Sequence, residues 1–227
     1  MAVNTSGEPG RTTQPHLRGP AGSLFVAVEG IDHSGKTTLT RALADHLRAA
    51  GRRVALVKEP THEPVGMLLR QLSADPGTPA VALALLSAAD RHTAQTALDA
   101  ALRVNDVVVA DRYLLSGLAY HFTDGVDVDL YRACTLGVRL PDLYLYLDVT
   151  PTAAASRVAR PPDSRWEQPA FAARLPAAYR RALQIVADHP AGDVVHLDAH
   201  QPAATVLAAA ITAVTDRLPT IHRRNAA

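Results

Sequence analysis

The sequence has little of what secreted, membrane-spanning and nucleic-acid-binding proteins depend on. Its single cysteine, Cys134, cannot form a disulfide within the chain, which favours a reducing compartment. No apolar run approaches the roughly 20 residues that span a bilayer, and residues 1–22 lack the apolar core of a signal peptide. The formal net charge of +1 supplies no overall attraction to nucleic acid or to a membrane surface. We therefore expect a cytoplasmic protein without a nucleic-acid or membrane partner.

Aromatic residues are also scarce, at 4% of the chain, so the core must consist mainly of alanine, leucine and valine. A length of 227 residues suits one domain of generous size. Residues 1–22 are polar and rich in glycine, proline and threonine, which predicts a disordered N-terminal arm. We predict that one domain covers residues 23–218 and that a loose tail covers residues 219–227.

Apolar runs of strand length alternate with segments of helical periodicity along this domain. Strands are predicted at residues 24–29, 54–58, 107–110, 143–148 and 194–198. Helices are predicted at residues 36–50, 67–72, 80–103, 130–136, 152–160, 169–188 and 202–218, with one more ending near His121. This alternation predicts an α/β fold with a five-stranded parallel sheet and helices on both faces. Ligands of such sheets bind outside the carboxyl ends of the strands.

The strongest motif directly follows the first predicted strand. Residues 30–37 read GIDHSGKT and fit the phosphate-binding loop (P-loop) of nucleoside triphosphate enzymes. Lys36 supplies a cation for the β- and γ-phosphates, and the Thr37 hydroxyl is suited to Mg²⁺. A glycine turn that binds nothing is the alternative, but the preceding strand and the following helix favour nucleotide binding. The predicted nucleotide-binding residues are Gly30, Ile31, Asp32, His33, Ser34, Gly35, Lys36, Thr37 and Thr38.

Five motifs in order resemble the thymidylate kinase family. They read FVAVEGIDHSGKTTL, KEP, LLSAADR, DRYLLSGLAY and PDLYLYLDVTP, and the resemblance covers about residues 24–183. It implies a P-loop NTPase-type sheet and a mobile lid at about residues 157–168. It also implies a homodimer that uses MgATP to phosphorylate a pyrimidine deoxynucleoside monophosphate, namely dTMP or a close analogue.

The resemblance and the chemistry of phosphoryl transfer together predict the reacting site. Transfer to a phosphate acceptor needs positioning and charge neutralisation rather than a general base. The predicted catalytic residues are Lys36, Arg112, Arg165 and Asp32. Thr37 and Asp111 are predicted to hold Mg²⁺. In the lid, Arg157 and Arg160 are predicted to contact ATP, whereas Arg165 is the best match to the family's lid cation.

On the acceptor side, the resemblance places Asp32 near the sugar 3′-hydroxyl and Tyr120 against the sugar 2′ carbon. It places Arg91 at the pyrimidine carbonyl. Ser87 stands where the family stacks a phenylalanine on the base, and His33 receives no role of its own. The acceptor-binding residues implied in full are Asp32, Glu59, Arg70, Ser87, Arg91, Arg112, Gly117 and Tyr120.

Three other functions stay open at this point. A deoxynucleoside kinase would phosphorylate a neutral hydroxyl and could use Glu59 as its base. A nucleotide-dependent switch or an idle binding protein would bind ATP without transferring phosphate, although the guanine-reading Asn-Lys-x-Asp motif of GTPases is missing. A kinase for a modified pyrimidine nucleotide would explain Ser87.

Overall fold

A computed structural model of the chain describes residues 22–187 and 192–218. Five parallel strands form one sheet in the order β2-β3-β1-β4-β5. Their bounds are β1 Leu24–Gly30, β2 Val54–Lys58, β3 Val107–Asp111, β4 Leu143–Asp148 and β5 Asp193–Asp198. All five predicted strands and the predicted parallel fold class are confirmed. The predicted arm, except for Gly22, and the predicted tail lie outside the described residues.

The central position of β1 brings the predicted motifs to one edge of the sheet. In the strand register Val28 pairs with Asp111 of β3, and Gly30 pairs with Leu147 of β4. Asp111 also pairs with Lys58 of β2. The segments that follow these four strands therefore start side by side, as expected for the ligand-binding edge of a parallel sheet.

Nine α-helices occur within the described residues, and a short 3₁₀ turn covers Arg165–Glu167. The helix bounds are α1 Lys36–Ala49, α2 Pro64–Ser73, α3 Ala80–Val104, α4 Leu114–Thr123, α5 Val128–Cys134, α6 Pro151–Ala155, α7 Pro169–Ala172, α8 Leu175–Ala187 and α9 Ala203–Thr215. Helix α1 packs with α9, α4 packs with α8, and α2 packs with α3. The buried core between these helices and the sheet is mainly alanine, leucine and valine, as the composition indicates.

The predicted helix over residues 152–160 is wrong beyond Ala155. Helix α6 ends there, and residues 156–164 have no regular structure, because consecutive prolines follow and the residue before a proline avoids helical geometry. The predicted helix over residues 169–188 is two helices, α7 and α8. Pro176 explains the break, since a proline in the first turn of α8 cannot donate to a helix continuing from α7.

Two other helix starts differ from the predictions by more than one residue. Helix α2 begins at Pro64 rather than at Met67, because proline is well suited to the first helical position. Helix α5 begins two residues early, since the Asp127 carboxylate caps it by accepting from the N–H groups of Asp129 and Leu130. None of the helices within residues 22–187 and 192–218 combines the length and apolar character needed to cross a bilayer.

Candidate active site

A cleft of about 880 Å³ opens at the carboxyl edge of the sheet. Sixteen of the residues predicted for the site line it, from the P-loop and the start of α1, the β2 end, α2, α3, the β3 end, α4 and the segment after α6. These residues are Asp32, His33, Gly35, Lys36, Thr37, Thr38, Glu59, Arg70, Ser87, Arg91, Asp111, Arg112, Gly117, Tyr120, Arg157 and Arg160. Gly30, Ile31 and Ser34 lie in the buried base of the P-loop, and Arg165 faces away from the cleft.

Two glycines of the P-loop adopt backbone angles that residues with a side chain rarely adopt. Gly30 and Gly35 have φ angles of 144° and 102°, and a Cβ at Gly30 would lie 2.8 Å from the carbonyl oxygen of Leu147. Nζ of Lys36 is buried within the loop and donates to the carbonyl oxygen of Ile31 at 2.5 Å. Burial, with the nearby charge of Arg112, lowers the pKa of Lys36 to about 7. Lys36 thus contacts a carbonyl oxygen rather than a carboxylate, so anionic phosphate oxygens in the loop would stabilise its charged form.

Thr37 and Asp111 form an oxygen pair beside Lys36. The Thr37 hydroxyl donates to Oδ2 of Asp111 at 2.6 Å, and Nζ of Lys58 lies 3.1 Å from the same oxygen. Although burial acts to raise it, this hydrogen bond and the Lys58 charge hold the pKa of Asp111 below its usual value. Mg²⁺ needs few protein oxygens when phosphates supply the others, so this pair fits Mg²⁺. No cluster of three or more acidic, His or Cys side chains suited to a metal occurs in the described part of the chain.

Arg112 occupies a strained turn at the end of β3. Its φ angle is +74°, which is unfavourable for a residue with a side chain, and its N–H donates to the carbonyl oxygen of Val28. Its guanidinium pairs with Oδ1 of Asp32 and lies 3.3 Å from Oγ of Ser116. The hydroxyl of Tyr120 donates to Oδ2 of Asp32 at 2.8 Å. Three predicted residues from two separate motifs thus share one polar cluster, since Asp32 belongs to the P-loop and the other two to the segment after β3.

Glu29, which the sequence analysis missed, holds this turn from the centre of the sheet. Its buried carboxylate accepts from the N–H groups of Tyr113, Leu115 and Ser116 and from the Ser116 hydroxyl. Burial, partly offset by the Ser116 hydrogen bond, raises the pKa of Glu29 to about 7. An acidic residue inside the apolar run of β1, next to the P-loop, was the signal that could have identified it.

Arg91 and Glu59 form a buried ion pair at the other end of the cleft. Nε and Nη2 of Arg91 donate to the Glu59 carboxylate at 3.0 and 2.6 Å. Desolvation raises the pKa of Glu59 despite the charge of Arg91. Because both Glu59 oxygens accept from Arg91, the geometry does not favour Glu59 as the free base of a deoxynucleoside kinase.

Ser87 and Arg70 have protein partners at this end as well. Oγ of Ser87 lies 3.0 Å from the hydroxyl of Tyr131. Nη1 of Arg70 donates to the carbonyl oxygen of Thr61 at 2.6 Å, and its Nη2 contacts the carbonyl oxygen of Pro60. Arg70 therefore ties α2 to the loop that follows β2.

Two arginines of the predicted lid line the cleft, and the third points away from it. Arg160 pairs with Glu167, donating to both carboxylate oxygens at 2.8 Å. Arg157 donates to the carbonyl oxygens of His33 and Ser34 at 3.3 and 3.0 Å. Arg165 instead donates to the carbonyl oxygen of Thr78 at 2.6 Å and lies 3.5 Å from Asp124. In this arrangement Arg165 anchors the segment and does not reach the cleft.

A second cavity of about 430 Å³ lies on the other side of the P-loop, between α1 and α9. Nη2 of Arg157, at its rim, donates to the carbonyl oxygen of Ala199 at 2.5 Å. This cavity was not predicted from the sequence; the signal that could have found it is that the loop after β5 also follows a strand end. The other lining residues are Ser34, Gly35, Thr38, Leu39, Ala42, Leu147, Gln201, Ala203, Ala204, Val206 and Leu207.

Known proteins are similar to this chain over much of its length. The profile of the thymidylate kinase family matches residues 28–210. A thymidylate kinase of Xanthomonas campestris pv. campestris (strain B100) is 37% identical over 204 residues, which are 87% of each chain. One from Xylella fastidiosa (strain 9a5c) is 34% identical over 200 residues, 86% of this chain and 92% of the relative. One from Xanthomonas euvesicatoria pv. vesicatoria (strain 85-10) is 42% identical over 138 residues, 60% of this chain, and the match spans 61% of that relative's length. The chain belongs to the thymidylate kinase family.

Proposed function

We propose that this protein transfers the γ-phosphoryl group of ATP to dTMP. The observation that carries the proposal is the placement of a P-loop lysine and the Arg112–Asp32–Tyr120 cluster in one cleft. A phosphate acceptor is already a nucleophile at neutral pH, so the site needs cations on both phosphate chains and no general base. Lys36 would neutralise charge on the phosphates of ATP. Arg112 would leave its ion pair with Asp32 and bind the phosphate of the acceptor instead.

Mg²⁺ completes the donor side of the proposal. Thr37 and Asp111 would hold it, and the ion would neutralise charge on the β- and γ-phosphates. Asp32 and Tyr120 would then contact the acceptor sugar, and Arg91 would donate to a carbonyl oxygen of the base. In the lid, Arg157 and Arg160 line the cleft and would contact the phosphates, whereas Arg165 keeps the lid against the Thr78 carbonyl oxygen and Asp124.

A coupled assay of ADP formation tests this function directly. ATP and Mg²⁺ would be supplied with dTMP, with thymidine, or with no acceptor. Fast ADP release with dTMP alone is the expected result. Release with thymidine would favour a deoxynucleoside kinase, and ATP binding without release would favour an idle binding protein.

ATP binding should take up a proton through Lys36. Its pKa, lowered to about 7 by burial, leaves the side chain mostly neutral at pH 8, and phosphate oxygens restore the charged form. We expect uptake of about one proton at pH 8 and much less at pH 6, where Lys36 is already charged. Calorimetry in buffers of different ionisation enthalpy measures it, and Lys36→Met should remove the difference. Equal heats in all buffers would contradict the prediction.

The second cavity is proposed to hold the nucleoside of ATP, with Arg157 between it and the P-loop. Arg157→Ala should raise the KM for ATP about tenfold, as for the loss of one charged hydrogen-bonding group, with little change in the KM for dTMP. Arg103→Ala, on an exposed position near the end of α3, is the matched control. If only the KM for dTMP rose, Arg157 would not be part of the ATP-binding site.

A homodimer in the cytoplasm is proposed as well. Four large apolar side chains of α2 and α3 are between 42% and 54% exposed, and such a patch on packed helices suits an interface between copies of the chain. They are Met67, Leu68, Val81 and Leu85. Light scattering after size exclusion tests the proposal, and a monomer at micromolar concentration would contradict it.

A further inference from the structure

A buried tyrosine lies behind the wall of the cleft where the acceptor base is proposed to bind. Tyr131 of α5 is 1% exposed. Its hydroxyl oxygen accepts from Nη1 of Arg91 at 3.0 Å and lies 3.0 Å from Oγ of Ser87. On the α4 side, its ring packs 4.7 Å from the ring of His121. One phenol therefore contacts both α3 residues that the sequence analysis assigned to the base.

The partners of Arg91 leave its guanidinium with one free donor. Nε and Nη2 donate to Glu59, Nη2 also donates to the carbonyl oxygen of Tyr113 at 3.2 Å, and Nη1 donates to Tyr131. A guanidinium has five N–H groups. The remaining N–H, on Nη1, has no partner among the residues that the structure describes. Because the group is planar, the bonds to Glu59 and the bond from Nη1 to Tyr131 together set the direction of this last N–H.

Gly117 of α4 makes room for this contact. A Cβ at Gly117 would overlap with the Tyr131 hydroxyl and would lie 3.1 Å from Nη2 of Arg91. The position is helical, so the glycine is not needed for its backbone angles. Close approach of the phenol to the arginine is the physical reason for a glycine here.

We propose that Tyr131 is a positioning residue that determines which base the acceptor site takes. It directs the free N–H of Arg91 at a carbonyl oxygen on the base, and a cytosine presents an amino donor where thymine presents an acceptor. Tyr131 thereby favours thymine and uracil nucleotides over cytosine nucleotides without contacting them. This inference rests on the proposed function, because it requires the base to lie beside Arg91.

Tyr131→Phe tests the inference by removing one oxygen atom. With ATP saturating, kcat/KM would be measured for dTMP, dUMP and dCMP. We expect the ratio of dTMP to dCMP to fall about tenfold, the loss associated with one hydrogen bond of a charged group. The value for dUMP should fall with that for dTMP, and the KM for ATP should stay within about twofold of wild type. If Tyr131 had a purely structural role, its substitution would lower kcat/KM for all three acceptors by the same factor, and the ratio of dTMP to dCMP would not change.

Tyr144→Phe is the matched control. Tyr144 is a fully buried tyrosine of β4 whose hydroxyl has no hydrogen-bond partner within the described residues, so its loss should change neither the ratio nor the turnover. Gly117→Ala is the second variant, because it displaces the Tyr131 hydroxyl without removing it. It should lower the same ratio, and it decides the question if Tyr131→Phe does not fold.

Arg91→Lys separates failure of this inference from failure of the proposed base site. Lysine keeps the charge but cannot hold the fixed planar arrangement of donors. If Arg91→Lys lowers the ratio and Tyr131→Phe does not, the base site stands and the role of Tyr131 is overturned. If neither variant changes the ratio, the base does not lie beside Arg91, and both the base site and the inference are wrong.

Discussion

Lys36→Ala should lower kcat for dTMP phosphorylation by about 10³-fold or more, the largest single effect expected in this protein. Nζ of Lys36 donates to the Ile31 carbonyl oxygen in the P-loop. When ATP binds, Nζ would instead donate to phosphate oxygens and neutralise their charge. No other lysine or arginine lies within the loop, which runs from Gly30 to Thr37. Turnover by the coupled assay and ATP affinity by calorimetry would both be measured.

The fold should survive this substitution. Burial lowers the pKa of Lys36, which means that the folded protein disfavours its charged form. We therefore expect the melting temperature of Lys36→Ala to equal or exceed that of wild type. Arg41→Ala removes a cation from the exposed face of the same helix and should leave turnover unchanged. Residual turnover above about a tenth of wild type would place the donor phosphates elsewhere.

Arg112→Ala should lower kcat/KM by about 10²–10³-fold for every nucleoside monophosphate alike. The phosphate is common to all acceptors, so the factor should be the same for dTMP, dUMP and dCMP. The variant also leaves the Asp32 carboxylate without its guanidinium partner, and its charge would then repel the acceptor phosphate. If kcat/KM fell for the nucleotide of one base only, Arg112 would not bind the acceptor phosphate.

The unusual φ angle of Arg112 allows the effect of losing its charge to be separated from the effect of backbone strain. At a φ angle of +74°, alanine is strained whereas glycine is not. Arg112→Gly should therefore lose as much activity as Arg112→Ala and yet melt at a higher temperature. Equal melting temperatures would show that the turn relaxes in the variants, in which case the activity loss could not be assigned to the guanidinium alone.

Much of the fold and of the donor site could be predicted from local patterns. The five strands are short apolar runs bounded by polar residues, and their order with the helices leaves a parallel sheet as the consistent fold. Lys36 and Thr37 follow the loop after β1, and Asp111 is the last residue of the neighbouring strand β3, so the 2.6 Å contact between Thr37 and Asp111 follows from the topology. The helix ends near Ala155 and Leu175 were missed because the effect of nearby prolines was underestimated.

The direction of side chains could not be predicted in this way. Arg165 matches its family position, but its guanidinium binds Thr78, which is distant in sequence. In the sequence, Glu29 is one polar residue in an apolar run. In the structure, four donor groups in the turn after Arg112 and the first turn of α4 bind its carboxylate. Tyr131 reads as a core aromatic, and its hydroxyl lies between Ser87 and Arg91.

Sequence periodicity thus specifies which residues are strand, helix and phosphate loop, since those choices depend on neighbours a few positions away. The partners of buried charges depend instead on contacts between segments far apart in sequence, such as the 32 residues between Arg91 and Glu59 and the 40 residues between Arg91 and Tyr131. A buried charge or hydroxyl is stable only with matched partners, and the packing of the sheet and its helices selects those partners. The P-loop could therefore be identified from the sequence, whereas the arrangement of the groups around Arg91 was decided by the tertiary structure.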